Sequence, residues 1–154
     1  MRLTRHLNEL FKTDVPIKIV RETLSSLRAS FVVNDIEYSF HASNFDDGWH
    51  ISFTAERDLS TGKRFSSRED REGITGKGDA LQVFSAIVKL FKLFIKRYRP
   101  HEFYFYAKEA SRQKLYDRFS KMIKGYDFQK YVDPDWKSWG MKYHFKRKKR
   151  KRNK

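Results

Sequence analysis

One stretch, Gly73 to Phe128, limits what this chain can fold into more than any other. It opens with a glycine-bearing turn, Gly73-Ile74-Thr75-Gly76-Lys77-Gly78-Asp79-Ala80. The spacing then predicts a helix from about Ala80 to Tyr98. Leu81, Phe84, Ile87, Val88, Phe91, Phe94 and Ile95 form a broad apolar stripe, and Lys89, Lys92, Lys96, Arg97 and Arg99 hold the polar side. A helix this apolar has to lie against a sheet. Arg99-Pro100 ends it, because a residue before proline is pushed out of helical geometry. His101 to Ala107 is aromatic and almost continuously apolar around Phe103-Tyr104-Phe105-Tyr106, the pattern of a central strand. A second helix opens near Ser111, carries Leu115, Phe119, Met122 and Ile123 at helical spacing, and stops at Gly125.

The residues before this stretch read as strands. A short amphipathic helix, Thr4 to Phe11, comes first, with Thr4 as its cap, and Asp14 to Pro16 breaks it. Ile17 to Val20 and Leu27 to Val33 are β-like, and Asn34-Asp35 is a turn pair. Ile36 to Phe45 alternates, Asp46-Asp47-Gly48 is a hairpin turn, and Trp49 to Ala55 alternates again. Arg57 to Glu72 is polar and reads as a long loop. Phe128 to Val132 and Trp139 to Phe145 are closing strands, separated by Asp133-Pro134-Asp135. The expected fold is α+β: a mixed, mostly antiparallel sheet with helices on both faces, in the manner of a three-layer protein. Residues 1–145 form one domain, and residues 146–154 form a basic tail expected to be disordered.

Charge is the second constraint. The formal net charge is +15, and the last nine residues carry eight of the 34 Lys and Arg with no acid. Lys146, Arg147, Lys148, Lys149, Arg150, Lys151 and Arg152 are the expected contacts with nucleic acid, whose phosphates such a block attracts without regard to sequence. The aromatics Trp136, Trp139 and Tyr143 beside it are candidates for stacking on bases. A net charge of this sign argues against mimicry of DNA and allows binding to acidic proteins. No apolar run approaches the roughly 20 residues that span a bilayer, and no signal-peptide core is present. The chain has no cysteine, which excludes disulfides and thiolate metal sites. A cytoplasmic protein is expected.

The chemistry-bearing motifs narrow the function. A glycine turn feeding a helix N-terminus can hold a phosphate, because the backbone approaches closely and unpaired N–H groups aim at the anion. The ordinary alternative is a helix start capped by Asp79. The five histidines lack metal-ligand spacing. The glycine turn lacks the Gly-Lys-Ser/Thr ending of a nucleotide-binding loop, and there is no nucleophile elbow.

Gly76-Lys77-Gly78 leading a helix, followed by a strand and Ser111-Arg112-Gln113-Lys114-Leu115-Tyr116-Asp117-Arg118, resembles the GNAT superfamily of N-acetyltransferases, and its texture is similar to members encoded by bacteriophages. The resemblance covers about Ile36 to Phe128. It implies acetyl-coenzyme A as cofactor, with Ile74, Thr75, Gly76, Lys77, Gly78, Asp79, Ala80 and Ser111 at the cofactor. It also implies a cleft where two neighbouring strands splay. Tyr116 matches the tyrosine that protonates the departing thiolate. Glu56, at the end of a meander strand, matches a carboxylate general base, with Asp58 and Glu69 as neighbours that can serve instead. His41 and His50 read as structural. The activity implied is direct acyl transfer to an amine that the sequence leaves unidentified, in the host cytoplasm if the protein is phage-encoded. The competing reading is a non-catalytic scaffold of the same fold that binds nucleic acid through its basic surface and tail.

Overall fold

The computed structural model describes residues 15–45, 48–65, 80–108 and 110–149. The expected N-terminal helix, the Asp46-Asp47 part of the hairpin turn, Glu69 and the glycine turn up to Asp79 lie outside these residues. The described chain is an α+β fold built on one seven-stranded sheet. The strands are β1 (Ile17–Glu22), β2 (Ser26–Val33), β3 (Ile36–Phe45), β4 (Gly48–Asp58), β5 (Glu102–Ala107), β6 (Tyr126–Val132) and β7 (Met141–Arg147). Their order across the sheet is β1-β2-β3-β4-β5-β7-β6, and every pairing is antiparallel except β4 with β5.

Local chemistry explains these elements. Asn34 and Asp35 take positive φ of 48° and 63°, the geometry of a tight turn whose twist suits a β2–β3 hairpin. Helix α1 (Ala80–Tyr98) carries the chain from β4 to β5, and this crossover is what allows the parallel pair. Helix α2 (Ala110–Ser120) links β5 to β6. Gly140 opens β7 at φ 87°, where a Cβ would lie 2.5 Å from the Ala107 carbonyl oxygen, so only glycine fits. At its C-terminal end α1 is pinned to the β1–β2 turn: the Tyr98 hydroxyl donates to the Thr23 and Ser26 carbonyls, and Arg97 pairs with Glu22 at 2.7 Å.

The core lies on one face of the sheet. Phe91 of α1 packs against Phe40, Phe105 and Phe119, the last at a centroid distance of 4.0 Å, and Phe94 packs against Trp49 and Phe103. Leu115, Tyr116 and Phe119 of α2 enter the same cluster. Among the described residues both helices therefore cover one face, whereas the sequence led us to expect helices on both. The apolar residues of α2 join the Phe91–Phe105 cluster rather than the opposite side.

Other boundaries differ from expectation. β4 runs on to Asp58, and the first part of the expected loop folds back on it, with an Arg57–Arg64 bridge and a hydrogen bond from the Phe65 N–H to the Glu56 carbonyl. Trp139 does not start a strand. It ends a 3₁₀ helix, Pro134–Trp139, whose first turn Asp133 caps and whose proline fits the first helical position. The tail also begins later than residue 146: Lys146 and Arg147 close β7, paired with Asp127 and Tyr126 of β6.

Candidate functional site

β4 and β5 pair only at their beginnings. Their register joins Trp49 to Phe103 and His50 to Tyr104 and goes no further, although β4 has 11 residues and β5 has six. Beyond His50 the strands no longer share a ladder, so backbone groups that face the partner in a continuous sheet need other partners. Arg112 supplies one. Its Nη1 donates to the Phe53 carbonyl at 2.6 Å, and its guanidinium lies 3.7 Å from the centre of the Phe53 ring. The residue is 3% exposed. A cation this deep requires such partners, because desolvation disfavours charge unless hydrogen bonds and a π-face replace water.

Arg112 was absent from the candidates drawn from the sequence. Its signal is its position: Arg112, Leu115, Tyr116 and Phe119 follow the i, i+3, i+4, i+7 spacing of the buried side of α2, with a charge heading an apolar stripe.

A second irregularity sits farther along β4. Tyr38 pairs with Ala55 and Glu37 with Arg57, so Glu56 is the extra residue of a β-bulge. Bulges bend a strand and re-aim the side chain they insert. Glu56 is half-buried and accepts a hydrogen bond of 2.6 Å from the Thr54 hydroxyl, on the side of β4 opposite Phe53. Tyr116 is 1% exposed and lies on the Phe53 side, with ring centroids 5.9 Å from Phe53 and 4.1 Å from Phe105. The two expected catalytic residues thus stand on opposite faces of β4, and the parting of β4 from β5 is the feature that lies between those faces.

The remaining candidates are distributed as follows. Ala80 is the first residue of α1 and Ser111 the second of α2. Ile74, Thr75, Gly76, Lys77, Gly78 and Asp79 lie outside the described residues, as do Arg150, Lys151 and Arg152. Asp58 accepts from the Ser60 N–H and hydroxyl and so closes a turn. Lys148 and Lys149 follow β7 and are exposed. Tyr143, expected as a stacking residue, is instead fully buried. Its hydroxyl donates to Asp117 at 2.9 Å. Burial, reinforced by that carboxylate, pushes the Tyr143 phenol well above the ordinary range. Burial also works to raise Asp117, but hydrogen bonds from Lys130 and Tyr143 prevail and hold it below the usual value.

The face of the sheet away from the helices is polar and aromatic. His50 stacks on Tyr104 at 5.2 Å, and Trp139 lies 5.2 Å from Tyr106. His144 bonds Glu102 through Nε2 and faces the Tyr131 hydroxyl through Nδ1 at 3.0 Å. Burial lowers the His144 pKa despite Glu102, and burial with Arg28 and Arg21 lowers that of His41. Among the described residues no group of three or more His, Asp or Glu could hold a metal ion, and no helix is long and apolar enough to cross a membrane.

No protein-family model, no curated protein and no solved structure matches this chain. The functional reading therefore rests on the geometry and on the residues themselves.

Proposed function

We propose that this protein is an acyl-coenzyme A-dependent N-acyltransferase of GNAT-like layout that passes an acetyl group directly to an amine. The observation that carries the reading is the parallel pair β4 and β5, single among the described strands, which separates after His50 and leaves a backbone carbonyl to be satisfied by Arg112. An opened strand pair offers backbone hydrogen-bonding groups to an extended ligand that carries amides of its own, as the arm of coenzyme A does. It is also where groups on opposite faces of a sheet can meet one ligand, which answers the separation of Glu56 from Tyr116.

In this reading the cofactor supplies an activated thioester. Gly76 to Ala80, which the sequence suggests as a turn, and the edges of β4 and β5 would hold it. Glu56, re-aimed by its bulge, takes a proton from the acceptor amine directly or through water. With such a thioester bound, Tyr116 would be the proton donor to its sulfur. Arg112 stabilises negative charge beside the opening, where low polarity strengthens its field. Alignment of amine and thioester contributes a large part of the rate.

Calorimetric titration with acetyl-coenzyme A tests the reading. Saturable heat at a single site, abolished by blocking the β4–β5 opening with Ser52→Trp, is the expected result. No heat at high micromolar ligand overturns it.

A further inference from the structure

Strand alternation sorts the side chains of β4, β5 and β7 into two sets, and the set that avoids the core is chemically coherent. The sheet register aligns His50, Tyr104 and His144 across three strands, and Tyr106 with Lys142 in the next row. The 3₁₀ helix closes this face with two indoles: Trp139 sits 6.0 Å from His50, and Trp136 sits 5.0 Å from Trp139 and is 49% exposed. Tyr106, His50 and Trp139 are half-buried.

Positive charge runs beside these rings. The ammonium of Lys142 lies 4.3 Å from the centre of the Tyr104 ring. Lys146 follows on the same side of β7, and Lys148 and Lys149 continue, exposed, from its end. Two of the acids nearby are engaged, Glu102 by His144 and Asp133 by Lys142 at 3.5 Å, while Asp127, across from Lys146, and Asp135, beside Trp136, are exposed and offset part of this charge.

We propose that this face of the sheet binds single-stranded nucleic acid, with bases stacked on Tyr106, Trp139 and Trp136 and the phosphates following the basic end of β7. Flat aromatic surfaces take unpaired bases of any sequence, and lysines track the backbone between them. Paired bases hide their faces in the stack, so a duplex can use the lysines and not the rings. An acidic peptide has the same defect, since it leaves the indoles with nothing to stack on. The chain's net charge of +15 supplies the long-range attraction. This inference is independent of coenzyme A binding. It places specificity for single strands on the sheet, where the tail alone offers only charge.

Fluorescence anisotropy on the full chain tests it, with labelled single-stranded RNA, single-stranded DNA and a DNA duplex of the same sequence. Both single strands should bind more tightly than the duplex, and the affinity should fall as salt rises. Trp136→Ala, at a half-exposed position, should weaken single-strand binding by roughly tenfold and leave duplex binding unchanged. Tyr106→Leu should do the same, with circular dichroism matching the parent. Removal of residues 150–154 should weaken single strand and duplex alike. Equal affinity for duplex and single strand, aromatic variants that bind as the parent does, or displacement by polyglutamate as effective as by single strand each overturns the proposal.

Discussion

The two faces of this sheet are made by the same strands and differ in almost every physical respect. On the helix side, Phe40, Phe53, Phe91, Phe103, Phe105 and Phe145 are at most 1% exposed and interlock as rings. On the other side, His41, His50, Tyr106 and His144 are half-buried and are held by stacking and hydrogen bonds. One face is dry and gives stability through burial. The other remains in partial contact with water. β4 links the two, because it parts from β5 and bulges at Glu56.

Substitutions on the two faces should have unequal effects, and the largest belongs to the dry face. Phe91→Ala removes the ring shared by both helices and the sheet, and should lower stability in urea by about 3–5 kcal/mol. A loss under about 1 kcal/mol means that the two helices do not share a core. Next comes the sheet's own joint. Gly140→Ala puts a methyl against the Ala107 carbonyl in a left-handed backbone, and should cost about 1–3 kcal/mol by the same measurement. Arg112→Leu keeps the apolar stripe of α2 and leaves the Phe53 carbonyl without this donor, for about 1–3 kcal/mol. If Arg112→Leu is neutral, that carbonyl has another donor and the β4–β5 opening is less exposed than described.

The wet face should respond to pH instead. Both His41 and His144 have folded-state pKa values below the ordinary 6.5. The unfolded chain therefore takes up these protons first. Their contribution is complete above about pH 6.5 and declines as the pH falls through the folded values. Thermal melts from about pH 8 to about pH 5 should show the melting temperature falling at the acid end, and His144→Gln should flatten that slope. A slope unchanged by this substitution removes His144 from the explanation. The smallest effect is expected at Ser52, where Ser52→Ala on the wet face of β4 should stay within about 0.5 kcal/mol.

Much of the dry face was legible in the sequence. The period-two pattern of Ile36 to Phe45 and Trp49 to Ala55 is the sorting of side chains between faces, and the stripe of α1 requires a sheet beneath it. The buried stripe is slightly rotated from the one the spacing predicts, since Leu81 is exposed and Val83, Ala86 and Leu90 are buried. A helix apolar on most sides leaves that choice to its neighbours. The site was less legible. A bulge is one residue out of register against a partner strand, so Glu56 looked like a strand end followed by a loop. Arg112 answers a carbonyl that loses its ladder, and which carbonyl does so depends on where β4 and β5 separate. Lys146 and Arg147 read as tail by composition, yet β6 and the Arg99 carbonyl hold them in place.

Hydrogen exchange read by mass spectrometry decides whether the β4–β5 opening receives acetyl-coenzyme A, as proposed. Saturating acetyl-coenzyme A should slow exchange in peptides covering residues 51–56 and 110–116 and leave β1 and β2 unchanged. Exchange in 51–56 and 110–116 that is identical with and without acetyl-coenzyme A contradicts the account.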